Sequence, residues 1–207
     1  MARMTNNSRY SRFKSYAKDT YYHIYNRGNG KQNIFNTNDD YLFYIKRLDQ
    51  NRKKYDVELI CYALMPNHIH LLVKQKTDVP IHKFISSLHT SYSMYFNKKY
   101  QHVGHLFQDR FKQVIVYADE QLLYLTKYIH RNPIEAGMVV KLSDYPWSSF
   151  HEYMHVLPLP LCNKEIVRGI LGTHEETFAH KYSEFCKEES SNKEILSIEN
   201  VALDQSF

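Results

Sequence analysis

The chain has 207 residues, 43% of them hydrophobic and 24% charged, the make-up of a globular domain long enough to bury a real core. It has no apolar run of bilayer-spanning length and no apolar signal core, and its three scattered cysteines suit neither a disulfide framework nor a zinc ribbon, so a cytoplasmic protein without membrane contact is expected. The formal charge of +5 divides unevenly, with 22 Lys+Arg against 12 Asp+Glu over residues 1–150 and 5 against 10 over residues 151–207, which points to a polyanionic partner for the front part.

Residues 1–18 are polar and basic (Arg3, Arg9, Arg12, Lys14, Lys18) and read as a loose lead-in or a phosphate-contacting arm. Residues 21–26 alternate and favour a strand, which stops at the turn signal Arg27-Gly28-Asn29-Gly30. A helix is predicted from Asn38, with Asn38 as its cap and Tyr41, Tyr44, Ile45 and Leu48 on its buried face. Residues 57–65 form the second predicted strand, and Pro66-Asn67 breaks the chain into the third, 68–74. A second amphipathic helix carries Ile81, Phe84, Ile85, Leu88, Tyr92, Tyr95 and Phe96 on one stripe, and residues 110–117 make the fourth strand. A third helix over 119–132 has Leu122, Leu125 and Ile129 inward, basic Lys127, His130 and Arg131 in its last turn, and Pro133 as its stop. Further on, helices are predicted near 164–171 and 175–186, and the polar last twenty residues are expected to be disordered.

The order β-α-β-β-α-β predicts an α+β, ferredoxin-like fold: a four-stranded antiparallel sheet with two helices on one face. The third helix is an addition to that unit, and residues 151–207 form a C-terminal helical extension. Three segments follow: a basic arm (1–18), the main domain (19–150) and the extension (151–207).

His68 and His70 stand two apart in an apolar run, so in a strand both project from one face while Ile69, Leu71 and Val73 project from the other. Two such imidazoles can share a divalent metal through neutral nitrogens, or can simply be polar residues on the exposed side of a sheet. The ferredoxin-like arrangement puts them on the open face, within reach of substrate. Eighteen tyrosines and eleven phenylalanines interleaved with basic residues suit stacking on unpaired bases.

Four runs carry a resemblance. They are Met65-Pro66-Asn67-His68-Ile69-His70-Leu71-Leu72, the stretch from Gly104 through Phe107, Gln108 and Arg110 to Lys112, the stretch from Tyr128 through Asn132-Pro133 to Val139, and Tyr145-Pro146-Trp147-Ser148-Ser149. With Tyr22-His23-Ile24-Tyr25-Asn26-Arg27-Gly28 ahead of them, the stretch from about residue 21 to 150 resembles the IS200-like single-tyrosine transposases, in particular the branch associated with repetitive extragenic palindromes. The resemblance implies cutting and rejoining of single-stranded, hairpin-bearing DNA. It also implies His68 and His70 as metal ligands, Tyr128 as nucleophile and Asn132 as a third, amide ligand. Arg27, Gln108, Arg110, Lys112 and Arg131 are the candidate DNA contacts. The branch tends to act as monomers, which favours a monomer over a homodimer.

The chemistry is coherent. A phenol with its pKa near 10 attacks phosphate poorly unless a divalent ion such as Mg²⁺ or Mn²⁺ activates the phosphate. A 5′-phosphotyrosine would conserve the broken phosphodiester for resealing, which suits strand transfer better than hydrolysis. Two other classes compete: an inactive module that only binds folded single strands, and a nucleotide hydrolase with a histidine nucleophile. The latter asks for a third histidine at position 72, which is Leu72.

Overall fold

The computed structural model describes residues 18–155 and 160–202. The predicted basic arm, apart from Lys18, falls outside them. In chain order come β1 (Thr20–Arg27), α1 (Asn38–Lys54), β2 (Val57–Met65), β3 (His68–Gln75), α2 (Ile81–Tyr100), β4 (Lys112–Val116) and α3 (Asp119–Glu135). The strands form one antiparallel sheet in the order β2-β3-β1-β4, the ferredoxin-like α+β arrangement expected from the element order. Helices α4 (Phe150–Met154), α5 (Glu165–Ile170), α6 (Glu175–Lys187) and α7 (Asn192–Ala202) follow.

Strand alternation sorts the sheet into two faces. Tyr22, Ile24, Ile69, Leu71 and Val73 share one face, where α1 and α2 bring in Tyr44, Leu48, Phe84, Leu88 and Tyr92, all fully or almost fully buried. His23, Tyr25, His68, His70 and Leu72 share the other. That second face is open only in part, because α3 lies across β2 and β3 with Leu122, Leu125 and Ile129 buried against it. The expectation of two freely reachable histidines is therefore corrected: His70 is 0% and His68 5% exposed.

Some strand ends shift by one or two residues from the sequence reading, β4 being Lys112–Val116 rather than 110–117, and three larger differences stand out. Thr37, not Asn38, caps α1; its N–H and that of Asn36 both donate to the Asp40 carboxylate, each at 2.9 Å. Pro133 does not stop α3, which runs on to Glu135. The stop comes at Gly137, in left-handed geometry (φ +66°), where the Gly137 N–H donates to the Ile134 carbonyl and the Met138 N–H to that of Pro133. That paired closure is what ends the helix; Pro133 removes a donor and crowds the preceding turn without stopping it. Lys127, His130 and Arg131 thus lie inside α3 rather than in its last turn.

The third difference is α7, which stands where disorder was expected. Buried Lys127 of α3 pairs with Glu194 at 3.2 Å, and Gln121 donates to the Ser197 carbonyl, so the polar tail finds partners that its composition does not announce. The extension also packs into the main core: the His130 ring hydrogen-bonds Tyr182 of α6 at 2.8 Å and Ser149 at 2.7 Å. All three cysteines are buried as free thiols.

After β1 the chain turns tightly beside the β2–β3 turn. The Gly28 N–H donates to the Asn67 carbonyl, and a side chain at Gly28 would put its Cβ 2.1 Å from the Gln32 carbonyl oxygen. Gly28 has an ordinary φ of −65°, so space, not conformational freedom, demands glycine. Gly28→Ala is expected to lose about 1–3 kcal/mol in urea unfolding, the scale of overpacking a closed site. An unchanged midpoint would contradict the described turn.

Candidate active site

The site forms where the first residues of β3 pass under the C-terminal half of α3. Along β3 the pairing register sets Arg27 and Met65 beside His68, and Tyr25 and Ala63 beside His70. The two imidazoles stand perpendicular, with ring centres 5.1 Å apart. The Tyr128 ring meets His70 edge-on at 5.7 Å between centres, and Tyr128 keeps part of its surface exposed. Asn132, one helical turn on, donates its amide N–H to the Tyr128 carbonyl at 2.8 Å, which leaves its amide oxygen for the site. The predicted His68, His70, Tyr128 and Asn132 are thus brought together.

Electrostatics keep both histidines neutral. Burial is the largest effect on His68 and pushes its pKa down to about 4; the Asn132 side chain, which can accept from the protonated ring, opposes burial, and the Arg27 charge adds to it. Burial, then the neighbouring His68 and His23, hold His70 well below the ordinary range. Neutral imidazoles carry the lone pairs a metal needs. The Asn67 side-chain oxygen lies 2.7 Å from His68 Nδ1 and, having no proton to give, accepts from it; the His68 lone pair is then on Nε2. The donor set fits a divalent ion: two neutral imidazoles and an amide oxygen. Among the described residues no group of three or more His, Cys, Asp or Glu side chains could hold a metal, so the amide is needed to complete the set.

Of the candidate DNA contacts, Arg27, Gln108, Arg110 and Lys112 line one small cleft of about 90 Å³ with Tyr25, Asn26 and Asp109. Arg27 hydrogen-bonds Gln108, and the Lys112 ammonium sits over the Tyr25 ring at 5.7 Å. Since Arg27 pairs with His68 across the strands, this cleft adjoins the histidines. Arg131 lies apart from it: its guanidinium binds Glu135 at 2.7 Å and the Cys186 carbonyl at 2.9 Å.

Three neighbours escaped the sequence reading. His23 approaches His70 with Nε2 to Nδ1 at 3.0 Å, Tyr25 stacks near both rings, and Asn67 holds His68. Asn67 was findable as the residue next to the motif. His23 and Tyr25 were not, since only the β1–β3 register brings residues 47 apart into contact.

Residues 16–132 match the family described as "Transposase IS200 like". A protein of Haemophilus influenzae named as a REP-associated tyrosine transposase is 32% identical over 113 residues, covering 49% of this chain and 64% of that relative. The chain therefore spans less than two thirds of its relative's length. The solved structure of a REP-associated tyrosine transposase bound to a REP hairpin superposes with a TM-score of 0.58 at 18% identity, over 75% of this chain and 97% of the other. At that identity the likeness concerns the fold.

Buried neutral histidines make stability depend on pH. His68, His89 and His130 have folded pKa values near 4, 3 and 3, driven down first by burial, and His70 is also lowered. The unfolded chain, with histidines near 6.5, binds protons that the folded chain refuses, so their contribution is complete above about pH 6.5 and shrinks as pH falls towards 4. Urea midpoints are expected to fall steadily from about pH 7 to about pH 4.5. A flat profile would contradict the burial of these rings.

Proposed function

Since this chain belongs to the IS200-like transposase family, we propose that it is a metal-dependent tyrosine strand transferase acting on hairpin-bearing single-stranded DNA. The reading is supported above all by Tyr128 standing edge-on to His70, with Asn132 on the next turn beside His68. In this reading the Tyr128 hydroxyl attacks the scissile phosphorus. The bond to the 3′-oxygen breaks, the phenolic proton is lost, and the departing 3′-oxygen takes up a proton. The 5′-phosphotyrosine so formed keeps the phosphodiester energy, and a second 3′-hydroxyl reverses the chemistry to complete transfer.

His68, His70 and Asn132 would hold the divalent ion, Mg²⁺ or Mn²⁺, whose charge would polarise the phosphate and steady the leaving oxygen. Arg27, Gln108, Arg110 and Lys112 would seat phosphates and bases in the adjoining cleft. Arg131 would join them only by leaving Glu135. The protein would act as a monomer, Tyr128 serving the histidines of its own chain. The hairpin bound by the structurally similar transposase is the natural first substrate class.

Incubating the protein with labelled hairpin oligonucleotides and Mn²⁺ is expected to give a denaturation-resistant protein–DNA adduct. Tyr128→Phe and EDTA should each reduce it by roughly 10³-fold or more, the scale for losing a nucleophile. An adduct that persists in Tyr128→Phe would reassign the nucleophile. Tight hairpin binding without any adduct would favour the binding-module reading.

A further inference from the structure

We infer that His23 is a positioning residue for the site: it accepts a hydrogen bond from His70 Nδ1–H and so keeps the His70 Nε2 lone pair directed at the divalent ion. The inference rests on the metal site proposed above. His23 is fully buried on β1, its ring nearly parallel to that of His70 (13°, centres 5.2 Å apart), with Nε2 3.0 Å from His70 Nδ1. A contact that short between two neutral imidazoles holds one proton, and two tautomer pairs can supply it. If His23 donates, neutral His70 carries its own proton on Nε2 and cannot ligate through that atom. If His70 donates, Nε2 holds the lone pair. Only the second pair is compatible with a metal.

Each histidine ligand thus has its own dedicated acceptor, the Asn67 amide oxygen for His68 and the His23 ring for His70. Such outer partners fix the ring orientation and raise ligand basicity. A carboxylate would accept equally well but would bring a full charge into a fully buried position, at a heavy desolvation cost. A neutral imidazole avoids that. Stacking against Tyr25, with ring centres 5.1 Å apart, holds the His23 ring in plane for the bond.

The test is Mn²⁺ affinity of the full chain, read from the loss of the free-ion EPR signal, with thermal unfolding of each metal-free variant recorded alongside. His23→Leu keeps bulk without an acceptor and is expected to bind Mn²⁺ about 10–100-fold more weakly. His23→Gln, whose amide oxygen can accept, is expected to stay within about 5-fold of wild type. Wild-type affinity in His23→Leu, or equal loss in both variants, would overturn the inference. Should His23→Leu fail to fold, imidazole ¹⁵N shifts of the Mg²⁺-saturated wild type decide: His70 and His23 should each carry their proton on Nδ1. A proton on His23 Nε2 would overturn the inference. Failure of the wild type to take up Mn²⁺ at all would instead remove the metal site itself, and the inference with it.

Discussion

The antiparallel pairing of β1 with β3 is the constraint on which the candidate site depends. It sets Tyr25 opposite His70 and Arg27 opposite His68, and so decides what each histidine touches. Side chains alternate along a strand, and a slip of one residue would send β1's whole His23-Tyr25-Arg27 set to the α1–α2 face. The same slip would drive Tyr22 and Ile24, both fully buried, out of the core, so the hydrophobic pattern itself guards the register. The tight turn at Gly28 and the Gln108–Arg27 backbone bond hold its far end.

A second condition is the rotation of α3 about its own axis. Leu122, Leu125 and Ile129 bury against the sheet, while Lys127 and His130 are locked on another side by Glu194, Tyr182 and Ser149. With those directions taken, Tyr128 and Asn132 point towards the histidines. The extension thus helps to orient the helix. Buried polar groups in such networks are expensive to leave unmatched, which ties the helix to a single setting.

Much of this was legible in the chain. Strand alternation in β2 and β3 and the helical stripes of α1 and α2 are local signals, and the β2 boundaries follow from Val57 and Met65 directly. The histidine pair announced itself by spacing, and Tyr128 and Asn132 by family resemblance. What stayed hidden depends on distant segments. Lys127 and His130 looked like solvated residues complementing a helix end because their partners lie 67 and 52 residues away. The continuation of α3 past Pro133 needed the closure at Gly137, and the burial of the histidines needed the path of α3 over the sheet. His23 lay in the lead-strand run that carries the resemblance, yet nothing local tied it to His70.

On the proposed reading, β3 and α3 together make a divalent-ion site beside Tyr128. Paramagnetic broadening by substoichiometric Mn²⁺, followed residue by residue by NMR, tests it most directly. The His68, His70 and Tyr128 ring signals and the Asn132 side-chain amide are expected to be lost first. Other signals should fade in order of their distance from the ion. Broadening that spares His68 and His70, or that centres on any other part of the chain, would contradict it.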